Sequence, residues 1–160
     1  MTMNGQVVSR RVYDGTAGAE SGMGGARALE GEDLADLKEQ ASFSKEAGYL
    51  AGGYKLSLKG VEEVNGSNAY VVDVERPDGA KSTEYYDMKT SLKLREVRTT
   101  TGQDGEPSTM TIDFADYKET NGVKFPNTMT INGLMPIPIS STVSEIKVNA
   151  GIDDKVFNLK

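Results

Sequence analysis

The chain has 160 residues, 24 of them acidic and 18 basic, and its net charge of −6 lacks the basic footprint of a nucleic-acid binder. It contains no histidine and no cysteine, which removes the central atoms of zinc peptidases, Ser-His-Asp hydrolases and thiol enzymes, and rules out disulfides. The 37% of hydrophobic residues suits a single modest core, and no apolar run approaches the ~20 residues of a membrane span.

The opening, Met1 to Tyr13, has no basic-then-apolar leader profile and reads as strand or turn already in progress, as in a fragment of a larger protein. Glycines crowd residues 14 to 31 without forming a dinucleotide or phosphate-loop motif. That stretch is expected to hold Gly/Ala-rich strands leading into the chain's one clear helix. The helix runs from Gly31 to Ala41, where Leu34, Leu37 and Ala41 recur at helical spacing behind Glu32 and Asp33. It spans only ~16 Å.

From residue 54 the pattern changes to polar/apolar alternation punctuated by Asn65-Gly66, Asp78-Gly79, Asp104-Gly105, Asn121-Gly122 and Asn132-Gly133. Such dipeptides supply the positive φ of hairpin turns, so the segments between them read as an antiparallel meander. Tyr54, Leu56 and Leu58 share one face; Tyr70, Val72 and Val74 follow, then Thr83 and Tyr85, Leu92 and Leu94, and Met110, Ile112 and Phe114. Pro126 belongs at an edge or bulge. Ile137, Ile139 and Val143 change phase to Ile146 and Val148, which suggests a bulge in a last strand. A final turn is expected to tuck Phe157 and Leu159 inward.

The fold class is therefore mainly β (α+β), a single unit over 1–160 in which a large sheet has one short covering helix near residues 31–41. So small a helix cannot cover six or more strands, so the sheet curls, pairs with further sequence or leaves a groove. An apolar face lined by Tyr54, Leu56, Tyr70, Val72, Leu92, Leu94, Ile112 and Phe114 is expected to be open to an apolar ligand or to a neighbouring chain, including a homodimer formed through an exposed strand edge.

The polar clusters read mainly as structure. Glu30, Glu32, Asp33 and Asp36 place charge at a helix N-terminus, and Asp73, Glu75 and Asp78 alternate out of a strand into a turn. Neither group matches a calcium loop. Glu84 with Asp87 is a conceivable carboxylate pair of the glycosidase kind, and Tyr54, Tyr70, Tyr85 and Tyr86 with Arg95 and Arg98 could line a pocket in which the rings hold an apolar ligand and arginine its head group. The plainer expectation is that these tyrosines sit at sheet margins while the basic groups pair with Glu84 or Glu96. No catalytic residue, metal or other cofactor is assigned.

Gly60-Val61-Glu62-Glu63-Val64-Asn65-Gly66, Ala69-Tyr70-Val71-Val72, Ser82 to Asp87, Leu94-Arg95-Glu96-Val97 and Asp116 to Pro126 occur in an order that is similar to the outer-membrane lipoprotein-sorting (LolA/LolB-like) superfamily. The nearest resemblance is to the LolA-like domain appended to bacterial insulinase-like zinc peptidases, over about residues 50 to 160. The resemblance implies a curved, unclosed half-barrel, shortened here at its N-terminal end, acting as a non-catalytic periplasmic or outer-membrane-associated module for a lipid, an acylated protein or another apolar ligand. It also leaves open a docking domain whose groove is filled by the parent peptidase or a partner. It assigns no individual ligand-contacting residue.

Overall fold

The computed structural model describes all residues except 1, 4, 5, 8, 23, 24, 43, 44, 51, 102–106, 134, 159 and 160. Its contacts group the chain into two compact units, residues 1–48 with 149–160 and residues 49–148.

In the first unit, β1 (Thr2–Met3) pairs with β2 (Gln6–Val7), and β3 (Ser9–Tyr13), β4 (Gly18–Gly22) and β5 (Gly25–Leu29) form an antiparallel sheet in that order. The expected Gly/Ala-rich strands are thus present, followed by α1 (Gly31–Ala41). Gly18 shows why a small residue is needed there. A Cβ on it would fall 2.7 Å from Leu34 Cδ1 and 2.9 Å from Leu37 Cδ2, so the two helix leucines rest directly on bare strand backbone. Leu29 and Leu37 are this unit's buried apolar side chains among the described residues. A 3-10 turn at Asp154–Phe157 ends the chain, capped by the Asp153 carboxylate accepting from the Lys155 N–H at 2.9 Å. Phe157 stays 36% exposed there, so it is not tucked in as expected, and Leu159 lies outside the described residues.

The second unit is one seven-stranded antiparallel sheet in sequence order: β6 (Lys55–Val64), β7 (Ser67–Glu75), β8 (Lys81–Asp87), β9 (Lys93–Thr101), β10 (Pro107–Thr120), β11 (Val123–Asn132) and β12 (Ile139–Thr142). It is the antiparallel meander expected from the alternation, and it is open and unclosed, as the resemblance implied. Two of its hairpins turn as the dipeptides require: Asn65 and Gly66 have φ of 50° and 84°, and Asn121 and Gly122 have 51° and 79°. Both central residues in the left-handed region define a turn whose twist matches that of the flanking strands. Asp104-Gly105 lies outside the described residues.

Pro126 pairs with Tyr117, beyond the stretch of β11 that pairs with β12, so its missing N–H takes nothing from that ladder. The last strand is shorter than its pattern predicts. β12 stops at Thr142, and Ile146 and Val148 lie in non-strand backbone, so their change of phase marks the strand's end and not a bulge.

Candidate functional site

Directly paired residues of adjacent strands share a face, so the register sorts every side chain of the large sheet. One face, here face A, carries Leu56, Leu58 and Val61 from β6, Tyr70, Val72 and Val74 from β7, and Ser82, Glu84 and Tyr86 from β8. It continues with Lys93, Glu96 and Arg98 from β9, Met110, Ile112 and Phe114 from β10, Met129 and Ile131 from β11, and Ile139 from β12. Two irregularities set this assignment. A bulge between Leu58 and Gly60 resets the phase of β6, so Val61 joins the leucines and pairs with Tyr70. Between β8 and β9, Tyr85 pairs with Arg95 but Tyr86 pairs with Lys93, which leaves Leu94 as the extra residue and brings Lys93 onto face A.

Of the eight side chains expected to line an apolar face, Leu56, Tyr70, Val72, Ile112 and Phe114 do share face A. Leu92 precedes β9, Leu94 occupies the bulge, and Tyr54 precedes β6, its ring stacked on Tyr49 with centroids 4.8 Å apart. Tyr85, expected on the same side as the leucines, projects from the opposite face B with Val71 and Arg95. Burial lifts its hydroxyl pKa above the ordinary value, and the nearby Glu62 charge adds to the lift. Glu84 and Asp87, weighed as a carboxylate pair, fall on opposite faces of β8.

The centre of face A is ionic. Glu84 is fully buried, and its Oε1 accepts from the Tyr49 hydroxyl at 2.8 Å and from Lys93 Nζ at 2.9 Å. Its Oε2 accepts from the Tyr86 hydroxyl. Lys93 Nζ also lies 3.6 Å from Glu96 Oε2 and 5.6 Å from the centre of the Tyr86 ring, while Arg98 Nε donates to the other Glu96 oxygen. The Tyr117 hydroxyl, donating to the Lys93 carbonyl at 2.7 Å, ties this knot to β10. Among the described residues no buried side-chain polar atom lacks a partner. Such a network makes good the desolvation of its charges. No group of three or more acidic side chains among the described residues is arranged to hold a metal.

The β6 margin of face A is the reverse. Leu56 is 44% exposed, Leu58 66%, Val61 51% and Tyr70 42%, and β6 is the edge of the sheet, pairing only with β7 among the described residues. From there the half-buried Val72 borders the ionic centre, beyond which Ile112 and Phe114 lie half-buried on β10. These four exposed apolar side chains on two adjacent strands form the open hydrocarbon surface of the unit.

Face B holds a cleft of about 450 Å³. Lys55, Ser57, Asp73, Glu75, Lys81, Thr83, Val97, Thr99 and Thr109 line it from face B, and Leu56, Val74, Ser82 and Arg98 are the intervening strand residues beneath them. Its walls are laced together. The Thr83 hydroxyl donates to Asp73 at 2.8 Å, and Glu75 lies between Lys55 and Lys81, whose charges hold its carboxyl pKa below the ordinary value. The cleft thus has ion-paired and hydroxyl side chains on its walls alongside Val97, and it opens on the opposite side of the sheet from the exposed leucines.

No family model matches the chain, and no curated protein matches it. Two solved structures share its fold, each with a TM-score of 0.60. One is a DUF1329 family protein from Desulfovibrio piger, 16% identical over 90% of this chain and 65% of its own. The other is a domain described as an outer membrane lipoprotein-sorting protein domain from Vibrio parahaemolyticus, 17% identical over 89% of this chain and 63% of its own. The chain therefore spans about two thirds of the length of each. The open antiparallel sheet is the fold that this chain shares with both structures, and the resemblance implied an unclosed sheet. Among the described residues no helix is long and apolar enough to cross a membrane.

Proposed function

We propose that this chain is a non-catalytic binding module of the bacterial cell envelope, periplasmic or outer-membrane associated, whose face A accepts an acyl chain from a lipid or a lipoprotein. The observation that carries this reading is the exposed patch of Leu56, Leu58, Val61 and Tyr70, bordered by the half-buried Val72. Apolar side chains gathered on one surface in this way mark a binding surface more often than scattered ones do. A lipoprotein-sorting-like fold adds support, since its Vibrio counterpart is described by that role. The saturated ionic centre argues against catalysis on the same face.

Native mass spectrometry of the protein mixed with a long-chain fatty acid and with a phospholipid is the test. A stoichiometric adduct is expected with one or both. A protein that stays bare at ligand concentrations saturating for ordinary carriers contradicts the reading and favours the alternative, a docking domain whose patch is filled by a parent protein or a partner.

A further inference from the structure

We infer that β6 is a self-complementary docking edge, and that a second copy of this chain pairs its own β6 antiparallel to it about a twofold axis between Leu58 and Lys59. β6 is ten residues long, and its outer edge pairs with no strand among the described residues. Unpaired strand edges take up further strands unless charge or a bulge blunts them, and β6 carries both, so a partner strand has to match its charges and its bulge. The charge order along the strand supplies the partner's identity. Lys55 and Lys59 occupy the first half and Glu62 and Glu63 the second, so an antiparallel copy meets basic with acidic at both ends, whereas a parallel copy meets like with like.

The faces select the register. The bulge at Leu58/Gly60 puts Lys55 and Glu62 together on face B and Leu56 and Val61 together on face A. Setting Lys55 opposite Glu62 of the second copy therefore also sets Leu56 opposite Val61 and Ser57 opposite Gly60, each pair on one face, and confines the mismatch of faces to Leu58 and the bulge residue Lys59 at the axis. Without the extra residue, Lys55 and Glu62 would project from opposite faces of their strand. The same pairs recur on the other side of the axis, as an isologous contact requires. Lys55 already reaches Glu75 on β7 and remains largely exposed, so it can serve a second carboxylate.

Backbone pairing leaves side chains on their own faces, so the two exposed patches would join into one stripe and neither would be covered. The dimer is thus independent of whether the patch binds acyl chains. The contact is a strand edge and little more, and an association weaker than that of ordinary obligate dimers follows.

Sedimentation equilibrium over a concentration series tests the association. A concentration-dependent dimer is expected. Lys55→Glu alone, or Glu62→Lys alone, should weaken it by roughly tenfold or more because each places like charges opposite one another twice per dimer, and the double variant should recover it. Circular dichroism would check that each variant stays folded. The chain has no cysteine, so mixing a Lys55→Cys chain with a Glu62→Cys chain gives a clean second reading: the mixed disulfide should form faster than either homodisulfide. A protein that stays monomeric throughout the series overturns the inference. So does a dimer indifferent to both charge reversals, or one whose mixed disulfide forms no faster than the others.

Discussion

Two parts of one sheet face depart from the usual distribution of residues in opposite directions. At the centre of face A, Glu84, Lys93 and Glu96 are buried, while at its β6 margin Leu56, Leu58, Val61 and Tyr70 stand in water. Burying charge is costly unless every group is paired, and here two tyrosine hydroxyls and two basic side chains supply the pairs. The difference teaches that face A is not one uniform core. Its centre is fixed by a directional network that tolerates little change, and its margin is held by the strand backbone alone and is available to something else.

Replacing Glu84 with alanine should give the largest effect. It strips Lys93 of its closest carboxylate and leaves the Tyr49 and Tyr86 hydroxyls without their acceptor, at a cost of about 3 to 5 kcal/mol in urea unfolding. A loss below about 1 kcal/mol would mean the centre is wet and the contrast is false.

Tyr49→Phe is the milder version. It keeps the ring stacked on Tyr54 and removes one hydrogen bond to a buried carboxylate, for an expected loss of about 1 to 3 kcal/mol. Hydrogen exchange across residues 49 to 54 should quicken with it, and unchanged protection would sever this segment from the network.

A smaller effect comes from acid. Asp87 ends β8 and holds the turn that sets the phase of β9. Its carboxylate accepts from the Thr90 N–H at 2.7 Å, the Thr90 hydroxyl at 2.9 Å and the Lys89 N–H at 2.9 Å. The Thr90 N–H foremost, with that hydroxyl and the Lys89 N–H, holds its pKa below the ordinary 3.8. A carboxyl group depressed in the folded state stabilises the fold above its unfolded pKa and gives that stability up as pH falls through the folded one. Stability should therefore drop below about pH 3.8 more steeply in the natural protein than in Asp87→Asn. Parallel profiles would show that the turn does not depend on the charge.

The local signals in the sequence were legible because they act over a few residues. Asn65-Gly66 and Asn121-Gly122 turn as their positive φ demands, and Leu34 and Leu37 sit one turn apart on α1. The site was harder to read, because a face is a product of pairing. Thr83, Tyr85, Leu92 and Leu94 look like the apolar side of a hairpin, yet pairing with β7 puts Thr83 and Tyr85 on face B and Glu84 and Tyr86 on face A, and the shift at Tyr85/Tyr86 exchanges Leu94 for Lys93. Gly60 was the local trace of the bulge in β6, but only pairing with β7 shows that it carries Val61 to the leucine side. Tyr49 gave no signal at all. It meets Glu84 across 35 residues, and nothing near it in the chain anticipates a buried carboxylate.

The claim that the leucine margin is a binding surface for hydrocarbon can be tested with two adjacent positions of β6. Leu58 projects from face A and Ser57 from face B, where it lines the polar cleft. A fluorescent long-chain fatty acid titrated into the natural protein should bind saturably. Leu58→Glu should abolish most of that binding by placing a charge in the patch, while Ser57→Glu should leave it within about twofold, since the substitution lies on the other side of the sheet. Equal binding by the natural protein and Leu58→Glu, or loss confined to Ser57→Glu, would move the ligand to face B and contradict the account.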